Sequence, residues 1–149
     1  MEEKRVRVGV AVNVIKDGQY LLLKRKSPLG TDTWCAPGGK MEWGEDIYTT
    51  AIRELREEVG ENIEVSDPYF YCITNDIFEK EQEHYITVNV IADYISGEPV
   101  INEPEKFSDI GWFHQDDVED MDLFLPTRNF FQNDFTTGDY INPEKEKEW

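Results

Sequence analysis

Apolar residues crowd the first part of the chain in two runs, residues 6–15 and 20–23, both rich in strand-forming side chains. Lys16, Asp17 and Gly18 between them have the chemistry of a tight turn, so the two runs predict a β-hairpin. Residues 34–37 predict a short strand that leads into a loop through Pro37, Gly38 and Gly39. The period then changes. From Ile47 to Val59 the apolar positions Ile47, Ala51, Leu55 and Val59 recur every fourth residue, with Ile52 beside them, which predicts a helix packed on a core. Gly60 predicts a left-handed stop at its C-terminus. Further on, residues 68–75 and 84–94 read as strands, the second alternating through Tyr85, Thr87, Asn89 and Ile91, with a polar connector at 79–83. Pro99 and Pro104 mark residues 97–106 as a loop, residues 110–113 predict a last strand, and Pro126 predicts the start of a helix within the apolar stretch 118–132. The charged end from Asn142 predicts a frayed tail, residues 142–149.

The polar side of the predicted helix is unusual. At about 100° per residue, Glu54, Glu57 and Glu58 share one narrow face, rotated away from the apolar stripe. Like charges spaced this way cost a few tenths of a kcal/mol per pair in water and more where water is excluded, on the order of what helix pairs lose. A divalent cation reverses the sign of that balance. Oxygen ligands without Cys or His point to a hard ion such as Mg2+, which keeps several waters and shares its shell with substrate phosphates. Arg53, beside Glu54 and four residues before Glu57, is placed to orient a carboxylate through its guanidinium fork. Gly38 and Gly39 let the backbone approach an anion or a metal, while Glu45 and Asp46 suit the positive end of the helix. An amphipathic helix with a solvated Glu/Arg face would explain the charges alone but not the flanking glycines.

Together these residues spell G-x5-E-x7-R-E-U-x-E-E-x-G, U being bulky and aliphatic, at Gly39, Glu45, Arg53, Glu54, Leu55, Glu57, Glu58 and Gly60. A random match is on the order of one in a million. Here the chain resembles the Nudix hydrolases, whose signature is this pattern; it departs only at Glu61, where the family has an aliphatic residue. The resemblance implies an α/β fold, a Nudix-type α/β/α sandwich with a mixed β-sheet, and hydrolysis of a diphosphate bond in a nucleoside diphosphate linked to a group X. It also implies Mg2+ as cofactor, with Mn2+ able to substitute. By the same resemblance Glu57 and Glu58 are metal ligands, Glu54 is a ligand or the general base, and the Gly38 carbonyl is a further ligand. Glu105 or Glu103, in the loop before the last strand, supplies an additional acid or is simply solvated.

Lys24, Arg25 and Lys26 form the single run of three consecutive basic residues in an acidic chain. Residues of this kind protect strand edges; the resemblance favours substrate phosphate binding, with Arg25 first, Lys24 beside it and Gly39 facing the same ligand. Phe124 and Leu125 either pack in the core or form a wall on which a base stacks. Within the family the chain is most similar to MutT-like nucleoside triphosphate diphosphatases, including the thiopurine nucleotide hydrolase. That similarity implies water attack on a triphosphate, yielding the monophosphate and pyrophosphate. Another diphosphate such as a nucleotide sugar or ADP-ribose is the alternative substrate, and an inactive nucleotide-binding module is the alternative of another class.

Composition narrows the partners. A chain of 149 residues suits a single domain, here 1–149, and a net charge of −17 opposes binding to a nucleic acid polymer or an anionic membrane. A metal would then have to carry the charge that admits a phosphorylated small-molecule substrate. Cys35 and Cys72 are too few for a disulfide framework and are expected as small buried strand residues. Without an apolar run of membrane length, a cytoplasmic location is the default. The resemblance adds a homodimer.

Overall fold

In a computed structural model, the described residues are 3–132 together with the strand Thr136–Thr137; the tail expected at 142–149 lies outside them. Strands β1 (Val6–Lys16) and β2 (Gln19–Arg25) form the expected hairpin. Its turn places Asp17 at φ 50° and Gly18 at φ 77°. Two positive φ values in a two-residue loop match the twist of the flanking strands. β3 (Trp34–Cys35) and β4 (Gly38–Lys40) follow, then helix α1 (Ile47–Val59), short β5 (Glu64–Val65), and the long strands β6 (Tyr69–Phe78) and β7 (Glu83–Ser96). β8 (Phe107–His114), α2 (Gln115–Val118), α3 (Leu125–Phe131) and β9 (Thr136–Thr137) complete the described chain.

β1 organises the mixed sheet. One edge runs parallel to β7 from Val6 opposite His84 to Ile15 opposite Asp93. The other edge meets two partners in turn: β4 opposite Gly9, Val10 and Ala11, and β2 opposite Ile15 and Lys16 alone. Beyond the turn β2 therefore leaves β1 and pairs with β8 on one side and β3 on the other. The sheet divides at this point, and the gap becomes the cleft described below. β6 lies antiparallel on the far edge of β7, with β9 beyond it.

Strand alternation sorts the core. Val10, Val12 and Val14 of β1 and Val88, Val90 and Ala92 of β7 share one face and bury Ala51, Leu55 and Val59, the expected stripe of α1. Leu21 and Leu23 join this core, while Leu22 projects to the opposite face with Ala36 and Val118. There Phe130 and Phe131 of α3 pack edge-on against Tyr20. Helices thus cover both faces of the sheet, the α/β/α sandwich. Cys35 and Cys72 are buried in strands, as expected. Among the described residues no helix is long and apolar enough to cross a membrane.

Three local expectations need correction. Gly38 to Lys40 is a strand rather than a loop, because its backbone completes the β1 edge; a Cβ on Gly38 would come within 2.2 Å of the Val10 carbonyl. Gly60 has the expected positive φ, 89°, but its ψ of 170° lies in the extended region open to glycine and not in the left-handed helical well. The last strand begins at Phe107, ahead of the predicted residue 110. Elements such as β5 and α2 are too short to leave a period in the sequence.

Leu55 is 2% exposed at the centre of the helix stripe. Leu55→Ala is expected to lower stability by about 2–5 kcal/mol, the range for deleting a buried leucine side chain, read as a lower urea midpoint with unchanged slope.

Candidate active site

Asp46 caps α1, accepting the Thr49 N–H at 2.7 Å. The preceding residue, Glu45, turns its carboxylate back along the helix to Arg53, which holds it through Nε at 2.7 Å and Nη2 at 2.8 Å. Thr50 and the backbone N–H of Glu42 donate to the same carboxylate. These hydrogen bonds, the one from Arg53 foremost, bring the Glu45 pKa down to about 2. Arg53 Nη1 also donates to Glu54 at 2.9 Å and lies 3.4 Å from both oxygens of Glu57, and Nη2 reaches the Lys40 carbonyl. One guanidinium thus gathers three carboxylates and the end of β4. The sequence suggested orientation of one neighbour; the link to Glu45 was missed because eight helical positions are out of reach unless a loop folds back, and the motif spacing was its one signal.

The three glutamates of the face are not equivalent. Glu57 is about half exposed and rests on Arg53. Glu54 lies directly over Gly39, where a Cβ would come within 2.4 Å of its carboxyl group. Burial raises the Glu54 pKa, with the charge of Glu57 adding and the hydrogen bond from Arg53 opposing. Glu58 is 6% exposed and accepts the Gly38 N–H at 2.7 Å, which ties α1 to β4. Burial drives its pKa well up; the Gly38 bond opposes this, and the charges of Glu54 and Glu103 reinforce it.

Both groups border a cleft of about 710 Å³ at the split in the sheet. Gly38, Gly39 and Glu58 line it together with Arg25 and Phe124, and with Tyr85 and Thr87 of β7; the Arg25 charge reaches Glu58 and opposes the rise in its pKa. A wider open depression runs along the solvent side of α1 past Tyr48, Ile52 and Arg56; it includes Arg53 and Glu57 but neither Glu54 nor Glu58. The cleft that Glu54 and Glu58 share with Gly38 and Gly39 is therefore the candidate site, with Glu57 at the helix surface outside its lining. Arg25 is held by the Leu29 carbonyl at 3.0 Å, and its guanidinium stacks 3.8 Å over the Phe124 ring, which in turn packs on Phe78. Lys24 points the other way, since alternation along β2 gives it the face opposite Arg25, and it does not line the cleft. Leu125 does not line it either; Pro126 and Thr127 do.

In the loop before β8, Glu105 is exposed, whereas Glu103 pairs with Lys106 at 3.2 Å and keeps a buried Oε1 that has no hydrogen-bond partner. As the side chains lie, no three acidic, thiol or imidazole groups among the described residues converge at ligating distance. Arg53 and the Gly38 N–H hold the carboxylates instead. The donor set still suits a hard divalent cation, because every donor is oxygen and one buried carboxylate oxygen, on Glu103, has nothing to bind.

A family model described as NUDIX domain matches residues 3–134. The chain belongs to the NUDIX family. It is 31% identical to the nucleoside triphosphatase NudI of Enterobacter sp. (strain 638) over 134 residues, 85% of this chain and 95% of that protein. The crystal structure of a MutT NUDIX hydrolase from Burkholderia pseudomallei superposes with a TM-score of 0.79 at 33% identity, covering 86% of this chain and 97% of that one. A bifunctional NMN adenylyltransferase/ADP ribose pyrophosphatase from Francisella tularensis, complexed with AMP and a manganese ion, shares the fold with a TM-score of 0.64 at 21% identity, over 89% of this chain and 42% of that one. This NUDIX protein is a MutT-like hydrolase, of a family that uses divalent metals.

An acid whose pKa is higher folded than unfolded stabilises the fold below its unfolded pKa, 4.5 for Glu58, and loses that contribution as pH rises through the folded value. In chelator, the wild-type thermal midpoint is therefore expected to fall as the pH is raised above 4.5. Glu58→Gln, which keeps an acceptor for the Gly38 N–H, is expected to flatten that fall and to raise the midpoint at the alkaline end.

Proposed function

We propose that this hydrolase cleaves a nucleoside triphosphate to the monophosphate and pyrophosphate, using Mg2+ with Mn2+ as a substitute. The observation that carries the reading is one cleft lined both by the carboxylates of Glu54 and Glu58 and by Arg25 stacked on Phe124. Such a cleft offers ligands for a metal-bound phosphate chain and an aromatic surface for a base. The likeness to nucleoside triphosphatase NudI supports the same substrate class.

Glu57, Glu58 and Glu103 would hold the cation, with the Gly38 carbonyl beside them; Glu103 fits the extra acidic position better than Glu105 because its free oxygen is buried and its charge acts on Glu58. When bound, the cation neutralises phosphate charge and makes an attacking water more acidic. Glu54, whose raised pKa suits it to take up a proton, accepts the proton of that water. The water oxygen bonds to phosphorus as the bridging bond to pyrophosphate breaks. Arg25 forks a phosphate, already oriented by its stack on Phe124, and Gly39 leaves room for the chain of phosphates under Glu54. Arg53 acts as a positioning residue for Glu54 and Glu57.

Chromatography of products from a nucleotide panel in Mg2+ is expected to show monophosphate and pyrophosphate. Orthophosphate as the leaving product, or turnover confined to nucleotide sugars or ADP-ribose, would overturn the assignment. Glu57→Gln and Glu58→Gln are each expected to lower kcat/KM by about 100-fold or more, as loss of a metal ligand does. Arg53→Lys, which keeps the charge and loses the fork, is expected to lower kcat by about tenfold or more through misplacement of Glu54 and Glu57.

A further inference from the structure

Behind the cleft lies a buried polar cluster that the hydrolytic reading does not use. Asp76 of β6 is fully buried. Its Oδ1 accepts from Asn129 Nδ2 of α3 at 2.9 Å, and its Oδ2 accepts from the hydroxyls of Thr87 at 2.6 Å and Thr74 at 3.1 Å. Both oxygens receive donors, and the Thr87 contact has the short length of a hydroxyl bonded to a carboxylate. Thr87 is the member that lines the cleft. Its one hydrogen is committed to Asp76, so Oγ1 has only lone pairs to offer elsewhere, and no donor among the described residues reaches them. Gly9 keeps the space beside it open: a Cβ there would sit 3.8 Å from Thr87 Oγ1 and 3.9 Å from Tyr85. Phe78 and Tyr85, packed edge-to-face at 6.3 Å, make the neighbouring wall apolar and aromatic. A flat aromatic ligand edge is therefore offered stacking area and one acceptor of fixed polarity.

We propose that Thr87, held as an acceptor by Asp76 and Asn129, reads the nucleobase by taking a hydrogen bond from an exocyclic amino group, so that amino-bearing bases are selected over their carbonyl counterparts. The inference rests on the nucleoside triphosphate reading and deepens it. Thr87 touches the base; Asp76 is a positioning residue that acts through it. A carbonyl facing Thr87 would set two acceptors against each other, with both left unsatisfied.

Calorimetric affinities for nucleoside monophosphates test this without relying on turnover, in the pairs CMP against UMP and AMP against IMP, whose members differ at the group in question. The wild type is expected to favour the amino member of each pair by about tenfold. In Asp76→Asn the amide would donate to Thr87 and release the Thr87 hydrogen toward the cleft, so the ratio is expected to fall to one or invert. In Thr87→Val, nearly equal in volume, it is expected to approach one with the circular dichroism spectrum unchanged; this variant carries the test if Asp76→Asn does not fold. Equal affinities within each wild-type pair, or a ratio that survives in Thr87→Val, would overturn base reading while leaving triphosphate hydrolysis, scored separately by product release, intact. Absence of both nucleotide binding and triphosphate turnover would overturn the functional reading and this inference with it.

Discussion

The contact on which the site depends is the hydrogen bond between the Gly38 N–H and the buried carboxyl group of Glu58. It fixes α1 against β4 and thereby sets Glu54 over Gly39. Its cost is electrostatic. A carboxyl group removed from water beside Glu54 and Glu103 resists ionisation, and the single backbone donor only partly offsets that resistance. The chain answers with Arg53, which neutralises the outer carboxylates, and leaves the inner ones with less positive charge than they need. A fold so arranged has a use for a divalent cation, and the family supplies the precedent.

Architecture turns that local chemistry into a cleft. β1 exchanges β4 for β2 along one edge, and the cleft is lined by Gly38 and Gly39 of β4 and by Arg25 and Phe124. The parallel strand β7 brings Tyr85 and Thr87 to the same space. A phosphate chain and a base differ in what they need, carboxylate-bound cation against stacking and directed hydrogen bonds, and the split sheet presents both within one cleft.

Much of this was legible in the sequence, because helical and strand periods are local. The helix Ile47–Val59, the hairpin and the acidic face follow from spacing alone, and Arg25 followed from the resemblance, while Phe124 stood open between the core and a wall of the site. What escaped is nonlocal. Lys24 and Arg25 are neighbours in sequence, and only the pleat of β2 sends them to opposite faces. Gly38 to Lys40 has no strand propensity and becomes a strand because the β1 edge needs a partner there. Glu45 reaches Arg53 through a loop, and Glu103 rather than the exposed Glu105 buries an oxygen and acts on Glu58 by its charge. Asp76, Thr87 and Asn129 come from three separate elements. Thr87 was visible as one step of an alternating strand, with nothing to mark it as a cleft residue.

The central claim is that Glu54 and Glu58, crowded together and raised in pKa by burial, form with their neighbours a site for a divalent cation. Titration of Mg2+ into the protein near pH 6, by calorimetry in two buffers of different ionisation enthalpy, tests it most directly. The account predicts saturable uptake with release of protons, seen as a binding heat that changes with the buffer, and loss of that proton release in Glu58→Gln. Absence of uptake, or uptake whose heat is the same in both buffers, would contradict it.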